Sequence, residues 1–221
     1  MFILLNSVQW FALIGYLSTA VLLATALFGA SRWATLDWGL RYLLVLVWFG
    51  LAMEVVAETI YQLHYPNLWM IPLDAAGELW LLSLVYAHAL QSNAFFRWRP
   101  WVAGAFGLYA ILSLAFAFEP ARFKPAVQVL ESLLVLGMAA LYFRKLLNEL
   151  RVLELARDPM FWVSAGLVVY SLSRLLIALF SNYLLEHYSQ QLSLTVWTIH
   201  GLLTIVLYLC YLRALWLRPQ K

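Results

Sequence analysis

The chain of 221 residues is 65% hydrophobic and 11% charged, where a soluble domain carries about 25% charged residues. That composition excludes a water-soluble globular protein, and it sets the net charge of +3 against membrane lipids rather than nucleic acid. The single cysteine, Cys210, rules out a disulfide within the chain and, lying in an apolar run, reads as a buried thiol.

Seven apolar runs are long enough to cross about 30 Å of hydrocarbon. They cover residues 8–30, 40–63, 68–91, 100–118, 126–147, 159–183 and 192–217. The first has no basic segment ahead of it and no small-residue cleavage site, so it is expected to stay as a helix rather than leave as a signal peptide. Pro66, Pro100, Pro120, Pro125 and Pro159 stand at or beside the breaks, where a missing N–H costs least. No internal repeat or linker divides the chain. The sequence therefore predicts one all-α domain over residues 1–221, a polytopic seven-transmembrane-helix bundle.

Charge orients it. The segments joining helices one and two, three and four, and five and six, with the tail, carry Arg32, Arg41, Arg97, Arg99, Arg144, Lys145, Arg151, Arg157, Arg213, Arg218 and Lys221. The opposite side has Arg122 and Lys124, and Arg174 lies within a helix. The positive-inside rule then predicts the N-terminus outside and the C-terminus in the cytoplasm. Trp33, Trp38, Trp98, Trp101, Trp162 and Trp216 fall near the inner interface and Trp10 and Trp69 near the outer one, as an aromatic belt does.

Ionisable groups inside lipid are costly and mark function. At 1.5 Å per residue, Glu54 lies roughly 13 Å below the outer end of helix two, Glu78 roughly 15 Å into helix three and Glu131 roughly 9 Å into helix five. Arg174 in helix six and His200 in helix seven lie roughly 12–14 Å deep. Five helices thus place ionisable groups in one outer-leaflet layer, and the inner half has nothing comparable. We take Glu54, Glu78, Glu131, Arg174 and His200 as candidate ligand-binding residues. Glu58 and Asp74, a turn shallower, are secondary or rim residues, with Asp74 alternatively complementing the first turn of its helix. Gln128, Tyr170, Trp197 and Thr204 share the faces of Glu131, Arg174 and His200 and extend the same polar stripes.

Five acids against one arginine leave a negative excess that a water-poor cavity cannot hold fully ionised. Three chemistries meet that demand: carboxylates sharing protons, a divalent metal ion on Glu54, Glu78 and His200, or a cationic or polyhydroxylated ligand. The Glu-x-x-His signature of di-iron bundles and a His-rich zinc set are both absent. Retinal is excluded as a cofactor, since the lysines Lys124, Lys145 and Lys221 leave the last helix without an attachment point.

Three segments carry a resemblance. Ile71-Pro72 through Glu78-Leu79-Trp80, Leu130-Glu131-Ser132 through Tyr142-Phe143, and Asp158-Pro159-Met160-Phe161-Trp162-Val163-Ser164-Ala165-Gly166 with Tyr170 resemble a group of seven-helix membrane proteins of this length in Bacteroidota-type bacteria. More broadly the chain resembles the seven-helix input modules of bacterial sensor histidine kinases. The resemblance implies a bacterial cytoplasmic membrane and a sensing role with a separate kinase partner, because the segments between helices are short. The expected function is a receptor-like or accessory sensor that binds a small ligand or ion in an outward-facing polar cavity. Two alternatives stay open: an intramembrane enzyme using a carboxylate/His site on a lipid substrate, and a small solute or proton-coupled transporter.

Overall fold

Each expected apolar run folds as one helix. The computed structural model describes residues 7–65, 67, 69–115, 125–149, 155–187 and 190–217. Its helices are α1 Ser7–Ser31, α2 Trp38–Gln62, α3 Met70–Leu90, α4 Asn93–Ala115, α5 Pro125–Glu149, α6 Pro159–His187 and α7 Gln190–Trp216. Among the described residues there is no strand. Pro66, Pro120, Arg122, Lys124, Arg151, Arg218 and Lys221, all used in reading the breaks and the charge bias, lie outside the described residues.

Six helices, α1, α2, α3, α5, α6 and α7, are long and apolar enough to cross a membrane. The chain is a multi-pass helical membrane protein. α4 is not among the six, because its described part opens with Arg97, Arg99 and Pro100 ahead of its apolar run.

Caps explain where the helices start. Asp37 accepts from the Leu40 N–H at 3.4 Å, so α2 begins at Trp38 rather than near residue 40. Ser92 accepts from the Phe95 N–H at 3.4 Å, a serine N-cap that starts α4 at Asn93, ahead of the expected residue 100. Pro100 then falls inside α4, where it leaves the carbonyl one turn earlier without its usual partner. Asp158 caps α6, accepting from the Met160 N–H at 2.9 Å.

The opposite helix ends collect cations. Lys145 Nζ donates to the Ala89 and Leu90 carbonyls at 2.9 and 3.0 Å, closing α3. Arg32 donates to the Leu215 carbonyl at 2.9 Å and to that of Trp216, closing α7. Each guanidinium or ammonium sits where the helix dipole is negative. Arg41 lies over the rings of Trp33 and Trp38, 5.6 and 4.9 Å from their centroids. Several of the basic residues that mark this end are therefore also its mortar.

Six helices close a ring. α1 packs on α2 and α7, α7 on α6, α6 on α5, α5 on α3, and α3 on α2. α4 stands outside it, packed along α3 and touching α5. The ring consists of the same six helices that qualify as membrane spans. Its interior is filled by residues such as Leu22, Leu43, Leu82, Val163, Leu167 and Leu215, while Tyr16, Leu27, Leu108, Leu176 and Leu179 stay exposed, as an outer surface turned to lipid tails requires. Helix contact is tightest where one partner is glycine: a Cβ at Gly166 of α6 would fall 2.8 Å from Cys210 Cβ on α7. Small residues let backbones approach this way in membranes, and the partly buried Cys210 serves that contact.

Candidate functional site

The acidic half of the bundle lies toward the turn between α2 and α3. Four of its carboxylates come from these two helices, and three of them face one space: Glu54 in α2, and Asp74 and Glu78 near the start of α3. The spacing of Asp74 and Glu78 stacks them on one face, a turn apart. All three line a cavity of about 400 Å³, with Asn67 from the turn at its mouth. Leu22 of α1, Tyr170 of α6, and Leu207, Tyr208 and Tyr211 of α7 complete its walls.

Behind the cavity, Arg174 forks between two carboxylates. Its Nη1 donates to Glu78 Oε2 at 3.0 Å, and its Nη2 stands 3.0 Å from Glu131 Oε2. The sequence placed these groups at one depth on three helices, and the structure joins them into a single bridge from α3 through α6 to α5. Glu131 is 1% exposed, and neither of its oxygens makes a hydrogen bond of good geometry. Among the described residues its counter-charge is the Arg174 guanidinium. Glu78 is the member of this bridge that also reaches the cavity.

Glu54 is positioned from the opposite wall, where the Thr19 hydroxyl of α1 donates to its Oε1. Asp74 lines the cavity rather than complementing the first turn of its helix, and no hydrogen bond reaches it among the described residues. Among those residues no cationic side chain pairs with Glu54 or Asp74, and Arg174 is shared by two acids. The cavity is therefore an acceptor-rich space with more carboxylates than counter-charges.

His200 belongs to a neighbouring cluster. Its Nδ1 stands 3.1 Å from Ser173 Oγ, its ring stacks on Tyr170 at 5.3 Å, and Trp197 meets it edge-on at 6.1 Å. Tyr170 in turn carries Arg174 over its ring, 5.8 Å from the centroid. His200 thus touches the charged bridge through Tyr170, and it does not line the cavity. The set Glu54, Glu78 and His200 is not brought together. Among the described residues no three His, Cys, Asp or Glu side chains are grouped to hold a metal ion.

The remaining candidates divide by placement. Tyr170 lines the cavity. Glu58 is exposed, accepts from Gln62 at 2.9 Å and stays outside the cavity. Gln128 is buried one turn before Glu131 but does not reach the space. Thr204 donates to the His200 carbonyl of its own helix at 3.0 Å, so its hydroxyl is spent locally.

Four residues escaped the sequence reading. Thr19 is a lone hydroxyl in an apolar helix and gave no signal until Glu54 was seen beside it. Ser173 precedes Arg174 and was hidden by it. Tyr208 and Tyr211 continue the His200–Thr204 stripe by one and two more turns, and following that periodicity further would have found them.

Comparison of the chain with protein-family models, with curated proteins and with solved structures returns no match.

Proposed function

We propose that the chain is a receptor-like or accessory sensor protein of a bacterial cytoplasmic membrane that binds a small ligand in the Glu54–Asp74–Glu78 cavity. The observation that carries this reading is the cavity itself. Its volume of about 400 Å³ falls in the range of small-molecule sites, about 300–1,000 Å³, and its walls are mostly apolar with a few convergent polar groups. Glu78 connects the space to Arg174 and so to α5 and α6. A ligand at Glu78 changes what the carboxylate gives the guanidinium, which is the kind of differential contact that biases a helix arrangement. The enzyme alternative draws no comparable support, since the carboxylates and His200 are held in separate clusters.

Gly50 supplies the test. It lines the cavity, and a Cβ there meets nothing within 4 Å, so Gly50→Phe starts without a clash and is expected to occupy the space. A fragment library screened by thermal shift should give hits that stabilise the wild type and are lost in Gly50→Phe. A screen in which no stabilising fragment depends on the open cavity sinks the reading.

In this proposal α4 is a seventh crossing and the N-terminus faces outward, as the charge bias favours. Leu63 and Leu147 are exposed at opposite ends of the bundle. In a Cys210→Ser background, Leu63→Cys should react with an impermeant maleimide added to intact cells, and Leu147→Cys only after permeabilisation. The reverse pattern overturns the orientation.

A further inference from the structure

We infer that the cavity takes an organic cation, an ammonium group on a compact apolar or aromatic body. The inference rests on the ligand-binding reading above and names the chemistry of the ligand. Glu54 and Asp74 approach the space from α2 and α3, and among the described residues neither has a cationic side chain within 4 Å. An ammonium lying between them receives charge-assisted hydrogen bonds and relieves the repulsion of carboxylates gathered around one guanidinium.

A second observation points the same way. Tyr211 is 3% exposed and lines the cavity, yet its hydroxyl has no hydrogen-bond partner among the described residues. A hydroxyl that opens on a cavity keeps its donor and acceptor capacity for what enters it. Phe49 of α2 and Tyr208 of α7 also line the space, and aromatic faces attract alkylammonium groups.

Competing ligand classes fit less well. A hard divalent ion needs several oxygen ligands at one point, and no such group forms among the described residues. A polyol would bury hydroxyls against Leu22, Val47, Met53 and Met70 without partners for them, which is unfavourable. An anion meets three carboxylates. An amine with an apolar body satisfies the acids and the apolar wall together.

Three probes of one shape separate the contributions: 2-phenylethylamine, its neutral analogue 2-phenylethanol, and the anion 3-phenylpropionate. Each is measured by equilibrium dialysis and thermal shift on the full chain in nanodiscs at neutral pH. The amine should bind about tenfold or more tighter than the alcohol, the scale of a hydrogen bond to a charged group, and the anion weakest. Asp74→Asn, which removes a carboxylate with no hydrogen bond to lose and so keeps the fold, should narrow the difference between amine and alcohol several-fold, with Glu54 holding the remainder. Glu58→Gln, outside the cavity, should leave the difference intact.

If amine and alcohol bind equally, and both are lost in Gly50→Phe, the cavity is a ligand site and the cation assignment is overturned. If no probe binds, the cation assignment also fails, and the fragment screen decides the broader reading separately. Loss of selectivity in Glu58→Gln to the same extent as in Asp74→Asn overturns the assignment too, because the preference would then come from general surface charge.

Discussion

Arg174→Met should destabilise the protein by about 3–5 kcal/mol, the range for breaking a buried ion pair by removing one partner. The guanidinium side chain is 9% exposed and faces Glu131 at 1% and Glu78 at 16%. Without it, Glu131 keeps no counter-charge, and neither of its oxygens has a hydrogen bond to fall back on. The loss is one of stranded charge rather than of attraction, and this gives the prediction its control. Adding Glu131→Gln and Glu78→Gln to Arg174→Met should recover most of the stability, since uncharged groups of similar shape replace a buried ionic network at little net cost. Unfolding by SDS titration, followed by tryptophan fluorescence, measures all three proteins. An Arg174→Met variant within about 1 kcal/mol of wild type would mean that the bridge behaves as a solvated pair, and the cavity would lose its connection to α5 and α6.

Asp158→Ala comes next, with an expected loss of about 2–5 kcal/mol from two separate contributions. The carboxylate caps α6 through the Met160 N–H at 2.9 Å and accepts the Tyr142 hydroxyl of α5 at 2.5 Å. An N-cap is worth about 0.5–2 kcal/mol, and a hydrogen bond to a charged group about 1.5–3 kcal/mol. Asp158→Asn keeps a capping oxygen and should lose less. Tyr142→Phe should remove only the hydroxyl contribution, and the double variant with Asp158→Ala should show coupling between the two. If Asp158→Ala costs no more than Tyr142→Phe in the same SDS titration, the cap contributes nothing and α6 is started by other means.

The helices were readable because lipid imposes a single rule, that every backbone polar group be satisfied within its own segment. Apolar runs of the right length follow directly. α4 shows the limit of that reading: Ser92 offered an N-cap upstream, the arginines kept the described helix below the hydropathy of its neighbours, and its place outside the ring depends on packing that no periodicity encodes. The level of Glu78, Glu131 and Arg174 was likewise legible from rise per residue. Their sorting was not. Rise per residue says nothing about which neighbours a group meets, so Glu54, Glu78 and His200 looked equivalent, although His200 goes to Ser173 and Tyr170 while Tyr208 and Tyr211, further along the same stripe of α7, line the cavity. Asp74 could be read from sequence as a dipole partner or a wall residue. The course of α3 from Met70 makes it the latter.

The Arg174 fork also has an order in time. Glu78 and Glu131 leave the ribosome on α3 and α5, and their counter-charge follows only with α6. A chain that ends before α6 therefore holds two acidic groups bound for the interior without the guanidinium that pairs with them. Arg174, itself expensive to insert, is drawn into lipid by a site already waiting for it. Chains stopped before α6 should therefore be less stable in the membrane than the full chain, since an acid left unpaired in the interior is costly.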